Sequence, residues 1–200
     1  MLKTLFSSSI MGLAFTLASA PVLAQNWQLD SENSSLHFVS VKNDHVAEVH
    51  RFTEINGDLT DGKLTINIPV SSLDTDIAIR NERMHKHLFD SAEYPLVTAT
   101  AQIPDELYDT STTLGTLPAV VPLTVFIAGE AVDVDAVVQI NKLSSDRIVA
   151  TTSQPVLIST REFGLVEGVN QLREIAGLDR IDYVVPVTFT VQFDLVPYRE

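Results

Sequence analysis

Most of the chain after residue 25 alternates apolar and polar positions with a period of two. In VVPVTFTVQFDLV (184–196), every odd position from 185 to 195 is Val, Phe or Leu, and Pro, Thr, Gln or Asp stands between them. The same period recurs in SSLHFVSVK, KLTINIPVSSL, VTATAQI, PLTVFIA and AVDVDAVVQI, with turn sequences such as INGD, TDGK and LSSD between them. This pattern predicts strands with one buried face, in an antiparallel sandwich or barrel rather than in βαβ units.

Two segments break the alternation and predict short helices. In 76–89, apolar residues recur near helical spacing, and Pro95 ends the segment. In 161–177, they recur every three residues; Ser159 or Thr160 is the expected N-cap, and Gly177 is expected to close the helix. The stretch 104–122, PDELYDTSTTLGTLPAVVP, is expected to be a long loop.

The first residues have the order of an export signal. Lys3 is followed by a short apolar run, and small residues at Val22 and Ala24 suit cleavage after Ala24. This predicts a signal peptide over 1–24, a single domain over 25–200 and a periplasmic location. No other apolar run approaches the length of a membrane span, so stable membrane insertion is not expected.

The charge of the chain argues against nucleic acid as a partner. There are 13 Lys and Arg against 26 Asp and Glu, and removing Lys3 with the signal leaves 12 against 26, a net charge of −14. Such a field repels nucleic acid and anionic lipid surfaces, and it favours solubility. The chain has no Cys, which excludes disulfides, thiol catalysis and Cys-based metal sites. Oligomeric state is not fixed by these features, and a homodimer stays open.

Candidate chemistry concentrates in TDIAIRNERMHKHLFDSAEYP (75–95), which contains His85-x-His87. On a helix these two rings point about 200° apart, whereas a helical zinc pair needs i, i+4 spacing and a third ligand. We therefore expect no metal here, although a non-helical segment would leave a two-His site open. The sequence has no nucleophile elbow, phosphate-binding Gly loop or H-E-x-x-H motif, and Asp133 and Asp135 alternate with Val as on a solvent face. No catalytic residue and no cofactor are predicted.

Hydrophobic residues make up 45% of the chain. A barrel whose interior is not filled by side chains encloses a ligand cavity, whereas a filled one has an ordinary core. Composition alone leaves both interpretations open.

Several motifs are distributed over nearly all of 26–197. They are the Gly57 turn, the Ser-x-Asp-Thr strand end (Ser72, Asp74, Thr75), Arg80, Leu88 with Phe89-Asp90, Tyr94-Pro95, REFGL at 161–165 and VPVTFTVQFDLV at 185–196. In these motifs, the segment 55–103 and the last strand resemble the YceI-like family of bacterial periplasmic proteins.

The resemblance implies a lipocalin-like, eight-stranded antiparallel β-barrel with short helices that holds a polyisoprenoid or similar amphiphile in an apolar tunnel. It favours the cavity over the plain core. With the alternation, it gives an expected cavity lining, in which the helix residues and Phe163 close one end: Leu36, Phe38, Ile66, Ile68, Ile77, Met84, Leu88, Phe163, Val187, Phe189, Val191 and Phe193. Arg80 is expected to anchor the first helix through a carboxylate, or else to bind a head group.

The predicted function is therefore binding, storage or transport of a long-chain apolar ligand, such as a polyisoprenoid or isoprenoid quinone. An enzyme acting on such a lipid, through His85, His87 or a buried acid, is the alternative. A ligand-free envelope stress protein is a third option. A buried His or carboxylate with a perturbed pKa at the tunnel end would favour the enzyme.

Overall fold

Eleven β-strands contain most of the residues that the computed structural model describes, 26–110 and 114–196. In chain order they are β1 (Asn26–Lys42), β2 (Val46–Phe52), β3 (Asn56–Thr60), β4 (Lys63–Pro69), β5 (Leu73–Asp74), β6 (Leu96–Gln102), β7 (Gly115–Ile127), β8 (Glu130–Ser144), β9 (Arg147–Thr152), β10 (Val156–Ser159) and β11 (Val184–Val196). A 3-10 turn at Val70–Ser72 separates β4 from β5. The predicted signal peptide, 1–24, and its cleavage site lie outside the described residues.

Eight of these strands form a closed antiparallel ring. Its order is β1-β3-β4-β6-β7-β8-β9-β11, and β11 closes the ring by pairing with β1. The other three extend the sheet at one end of the ring: β2 pairs with the second half of β1, β5 pairs with β2, and β10 pairs with the start of β11. The predicted eight-stranded antiparallel barrel is confirmed.

The described part of the chain also forms three α-helices, which lie at the ends of the barrel: α1 (Ala78–His87), α2 (Asp105–Tyr108) and α3 (Val166–Ile175). The antiparallel chain path decides which end each helix occupies. The helices α1 and α3 follow strands that run in one direction and contact each other, whereas α2 connects β6 to β7 at the opposite end. These are called below the α1–α3 end and the α2 end. None of the helices in the described ranges is long and apolar enough to cross a membrane.

The first predicted helix is confirmed, within narrower limits than 76–89. Its start is fixed by Asp76, which has a φ of 61°, and by Ile77, which is extended and forms the N-cap. The side-chain oxygen of Asn81 accepts hydrogen bonds from the backbone N–H and the hydroxyl of Thr75 at 3.0 and 2.5 Å, which connects the first turn to the residue that follows β5.

The second predicted helix is confirmed over Val166–Ile175, but its predicted N-cap is wrong. Residues 160–165 form turns, in which the N–H of Leu165 bonds the carbonyl of Thr160 at 2.8 Å, and Leu165 is the N-cap. Gly177 closes the helix, as predicted. Its φ is 63°, its N–H bonds the carbonyl of Glu174, and the N–H of Leu178 bonds the carbonyl of Arg173. This pair of bonds is the Schellman pattern.

The stretch 104–122 was predicted to be a loop, and this is wrong for most of it. It contains α2, and its last eight residues belong to β7. This part of β7 contains Pro118 and Pro122. Strand β6 pairs with β7 only at Thr124–Phe126, so the earlier part of β7 has a ladder to β8 alone. A proline, which lacks a donor, is tolerated on such a local edge.

Candidate functional site

The barrel encloses a cavity of about 270 Å³ that reaches from α1 to α2. On β11 alone, the lining extends from Val185 to Phe193, roughly 26 Å along the strand at 3.3 Å per residue. Thirty-five of the described residues line the cavity, and all of these but Tyr108 and Thr160 are Ala, Val, Leu, Ile, Met or Phe. A bound water needs only about 10–15 Å³ and several polar partners, so this space is large but unsuited to water.

Several inward-facing side chains in the middle of the barrel are only partly buried. Ile66, Leu123, Val134 and Val191 each line the cavity, and each keeps accessible surface. A fully packed core would bury such residues almost completely. The side chains of the interior therefore leave space between them, which distinguishes a cavity from the plain core that composition left open.

The two polar residues of the lining have hydrogen-bond partners of their own. The Thr160 hydroxyl donates to the carbonyl of Tyr183 at 3.0 Å, and the Tyr108 hydroxyl donates to Oδ1 of Asp105 at 2.7 Å. Burial, together with Asp105, raises the pKa of Tyr108 to about 12, so its hydroxyl stays protonated. Because both hydroxyl groups already have partners, a ligand does not need to supply a hydrogen bond to either of them. The lining therefore favours a hydrocarbon chain.

The structure places ten of the twelve expected lining residues around this cavity. Those ten come from the strands β1, β4 and β11 and from α1 with its C-cap: Leu36, Phe38, Ile66, Ile68, Met84, Leu88, Val187, Phe189, Val191 and Phe193. Phe163 is fully buried in the turn before α3 but is not part of the lining.

The expected inward direction of Ile77 is wrong. Its side chain is 46% exposed, and it does not line the cavity. The prediction treated Ile77 as part of the apolar face of a helix. As the extended N-cap that follows the left-handed Asp76, it lies before that face begins.

Arg80 connects α1 to the sheet. Its Nε donates to the hydroxyl of Thr75 at 2.9 Å, one Nη donates to the carbonyl of Thr75, and the other Nη donates to Oε2 of Glu48 at 2.6 Å. The same Glu48 oxygen lies 2.6 Å from Nζ of Lys42, and these cations hold the pKa of the Glu48 carboxyl below its usual value, with the Lys42 hydrogen bond as the main cause. The carboxylate partner expected for Arg80 is thus Glu48; whether Arg80 also binds a head group stays a prediction.

His50 lies next to this ion pair and pairs with Phe38 across β1 and β2. It is 4% exposed, its ring contacts that of Phe38 at a centroid distance of 5.2 Å, and Nε2 is 2.9 Å from the hydroxyl of Ser40. Burial lowers the pKa of His50, and the positive charge of Arg80 acts in the same direction. His50 is outside the set of residues that line the cavity.

His85 and His87 lie on α1, as predicted, and neither lines the cavity. Within residues 26–110 and 114–196, no group of three or more His, Cys, Asp or Glu side chains is arranged to hold a metal ion. The absence of a metal at this pair stays a prediction.

Comparison with known families fits this geometry. The model of the YceI-like domain matches residues 27–195.

The chain belongs to the YceI-like family.

Solved structures agree with this membership and with the resemblance seen in the sequence. This YceI-like chain is 30% identical to a polyisoprenoid binding domain from Saccharophagus degradans implicated in plant cell wall breakdown, with a TM-score of 0.81 over 85% of this chain and 98% of that one. BcnA of Burkholderia cenocepacia is 16% identical, with a TM-score of 0.57 over 82% and 98% of the two chains, and shows the fold alone. A search of curated proteins gave no match.

Sequence reasoning missed the lining contributed by α2 and by seven strands: β2, β3, β6, β7, β8, β9 and β10. The pattern that predicts the inward face of β8 is present in the sequence. Val134, Ala136, Val138 and Ile140 alternate with Asp135, Val137 and Gln139, of which Asp135 and Gln139 are polar and exposed. Leu107 and Tyr108 of α2 had no such signal, because four helical residues show no periodicity. The α2 end of the cavity therefore became apparent only in the structure.

Proposed function

We propose that this YceI-like protein binds a long-chain apolar ligand, of the polyisoprenoid or isoprenoid-quinone type, and stores or carries it in the periplasm. The observation that carries the proposal is the long cavity with an almost purely hydrocarbon lining. The similarity to a polyisoprenoid binding domain at 30% identity supports the same ligand class.

The lining can supply affinity without any polar contact. Burying one methylene contributes about 0.8 kcal/mol before costs. A chain with many such groups can exceed the free energy that is lost on ordering ligand and side chains. The ligand is therefore selected by the length and the width of its hydrocarbon chain.

The chemistry of the lining favours binding over catalysis. Tyr108 is the lining residue with an ionisable side chain, and its raised pKa makes it a poor acid or base near neutral pH. His50 has the perturbed pKa that an enzyme would use, but it is not among the residues that line the cavity. The membership of the YceI-like family also suggests a binding protein rather than an enzyme.

Mass spectrometry of an organic extract tests the proposal. The full chain is expressed in a Gram-negative host and purified from the periplasm, and an unrelated periplasmic protein purified in the same way is the control. We expect a long-chain isoprenoid that is enriched in the YceI-like sample alone. Protein that yields no co-purified lipid and takes up no added polyprenol would overturn the proposal. The intact mass of the exported protein, expected to begin at Gln25, tests the periplasmic part.

A further inference from the structure

The α2 end of the cavity is closed by residues 103–110, called here the floor segment. Two hydrogen bonds fasten its ends to turns that follow different strands of the ring. The N–H of Ile103 bonds the carbonyl of Gly62 after β3 at 2.7 Å, and the hydroxyl of Thr110 donates to the carbonyl of Ser145 after β8 at 2.7 Å. The segment therefore crosses the end of the barrel from one side to the other.

A buried lysine holds the middle of the floor segment. Lys142 is 5% exposed, and its Nζ donates to the carbonyls of Glu106 and Asp109, both at 2.6 Å. A buried ammonium is costly unless it has hydrogen-bond partners. Moving the floor segment outward would leave this buried ammonium without its hydrogen-bond acceptors. The hydrogen bonds of Lys142 therefore hold the floor segment in position.

The inner surface of the floor segment faces the cavity. Leu107 and Tyr108 belong to the lining, and Tyr108 is 8% exposed. Trp27 at the same end of the barrel is 0% exposed and pairs with Leu59, which is also in the lining. A chain that reaches this end meets the ring of Tyr108 and the side chain of Leu107.

A second group of polar residues on the inner face lies at the opposite end. Directly paired residues of antiparallel strands point to one face of the sheet. Phe38 pairs with His50 and lines the cavity, so the next pair on that face, Ser40 with Glu48, extends the inner face towards Arg80. At the floor, the hydroxyl of Tyr108 and the ammonium of Lys142 already have hydrogen-bond partners within the floor segment. An amphiphile would therefore place its polar group at the α1–α3 end and the end of its tail at the floor.

We propose that the floor segment sets the longest tail that the cavity accepts, and that Tyr108 is the main residue for this selection. The inference rests on the proposed function, because it assumes that the cavity holds an isoprenoid chain. Replacing Tyr108 by Ala removes more heavy atoms than one isoprene unit contains. The variant is expected to accept a tail that is at least one isoprene unit longer.

The test offers the purified full chain a mixture of polyprenols of graded length and measures by mass spectrometry which lengths are retained. Tyr108→Ala is compared with Tyr108→Phe, which keeps the ring. It is also compared with Phe89→Ala, which removes a ring of the lining at the α1–α3 end and is equally buried. If either alanine variant fails to fold, Leu107→Ala and Leu88→Ala form a milder pair at the same two ends.

We expect the upper length limit to rise for the floor variant, Tyr108→Ala or Leu107→Ala, and to stay unchanged for Tyr108→Phe and for the variant at the α1–α3 end. An unchanged limit in folded floor variants would overturn the inference and leave the proposed function standing. An equal rise from the variant at the α1–α3 end would also overturn it. Wild-type protein that retains no polyprenol of any length would overturn the proposed function itself, and this inference with it.

Discussion

At the residue scale, the geometry of Arg80 explains why an arginine follows the Asp-Thr strand end. All three guanidinium nitrogens donate hydrogen bonds, two of them to Thr75, which is 1% exposed, and one to Glu48. A lysine has a single nitrogen and cannot reproduce a planar fork. Arg80→Lys is therefore expected to lower the free energy of unfolding by about 1–3 kcal/mol, the usual cost of losing hydrogen bonds to a charged group.

Chemical denaturation of the wild-type protein and of the Arg80→Lys variant measures this difference in the free energy of unfolding. Arg83→Lys on the same helix is the control, because the described part of the chain gives Arg83 no hydrogen bond or ion pair. Its effect should stay within about 0.5 kcal/mol, as for surface substitutions in general. Equal effects of the two substitutions would contradict the anchoring role of Arg80.

His50 makes the stability of the folded protein depend on pH. Its pKa in the folded protein is lower than the ordinary value of 6.5, because it is buried and lies near Arg80. The unfolded chain therefore takes up a proton near pH 6.5 that the folded protein binds only at lower pH. Stability is full above pH 6.5 and falls as the pH drops from there towards the folded-state pKa.

Thermal midpoints between pH about 7 and about 5 isolate this effect, because carboxylates such as Glu48, with an ordinary pKa of 4.5, titrate at lower pH. His50→Gln is expected to flatten the decline in this range. The exposed His45 provides a matched control, and His45→Gln should keep the wild-type decline. A decline in His50→Gln as steep as in the wild type would show that other groups cause it.

At the element scale, the contact between α1 and α3 depends on Gly168. A Cβ at this position would lie 2.4 Å from the carbonyl oxygen of His87 and 3.0 Å from Cα of Leu88. Helix propensity alone favours Gly168→Ala by about 0.5–1 kcal/mol. The clash is with backbone atoms that cannot rotate away, and overpacking costs roughly 1–3 kcal/mol.

We therefore expect Gly168→Ala to lower the free energy of unfolding despite its better helix propensity. Denaturant titration measures the change. Gln171→Ala, at an exposed position of α3, is the control and should be neutral or slightly stabilising. A stabilised Gly168→Ala variant would mean that α1 and α3 can move apart at no cost.

The elements that could be predicted from the sequence are those with a long periodic pattern. Strand β11 has six inward apolar residues in alternation, and its assignment needed no knowledge of its neighbours. The start of β7 could not be recognised, because Pro118 and Pro122 suit a strand only where one edge is unpaired, and pairing is a property of the whole sheet. Ile77 shows a related difficulty, since its direction depends on a backbone turn at Asp76 that periodicity does not reveal.

At the scale of the whole molecule, the barrel combines a closed ring of strands with an interior that side chains do not fill. Val191 lines the cavity and pairs with Ala150 on the neighbouring strand β9. A large substitution at this position can distinguish a cavity that holds a ligand from a packed core. Val191→Trp should fold with a near-native thermal midpoint and lose its extractable lipid. In a filled core, the same change would cost roughly 1–3 kcal/mol or more.

Thr188→Trp is the matched control, because Thr188 is exposed on the same strand, on the face that points away from the cavity. It should retain lipid. Collapse of Val191→Trp would favour the packed core, and retention of lipid would show that the tail does not pass this position.

The 270 Å³ between the side chains also has a mechanical consequence. Unfolding removes internal voids, so hydrostatic pressure favours the unfolded chain in proportion to the void volume that disappears. A lipid tail that occupies the cavity takes that volume away before any pressure is applied. Lipid-free protein should therefore unfold at a lower pressure than lipid-loaded protein, even where their heat stabilities are similar. The fluorescence of Trp27, the single tryptophan and fully buried, can follow both transitions in a pressure cell.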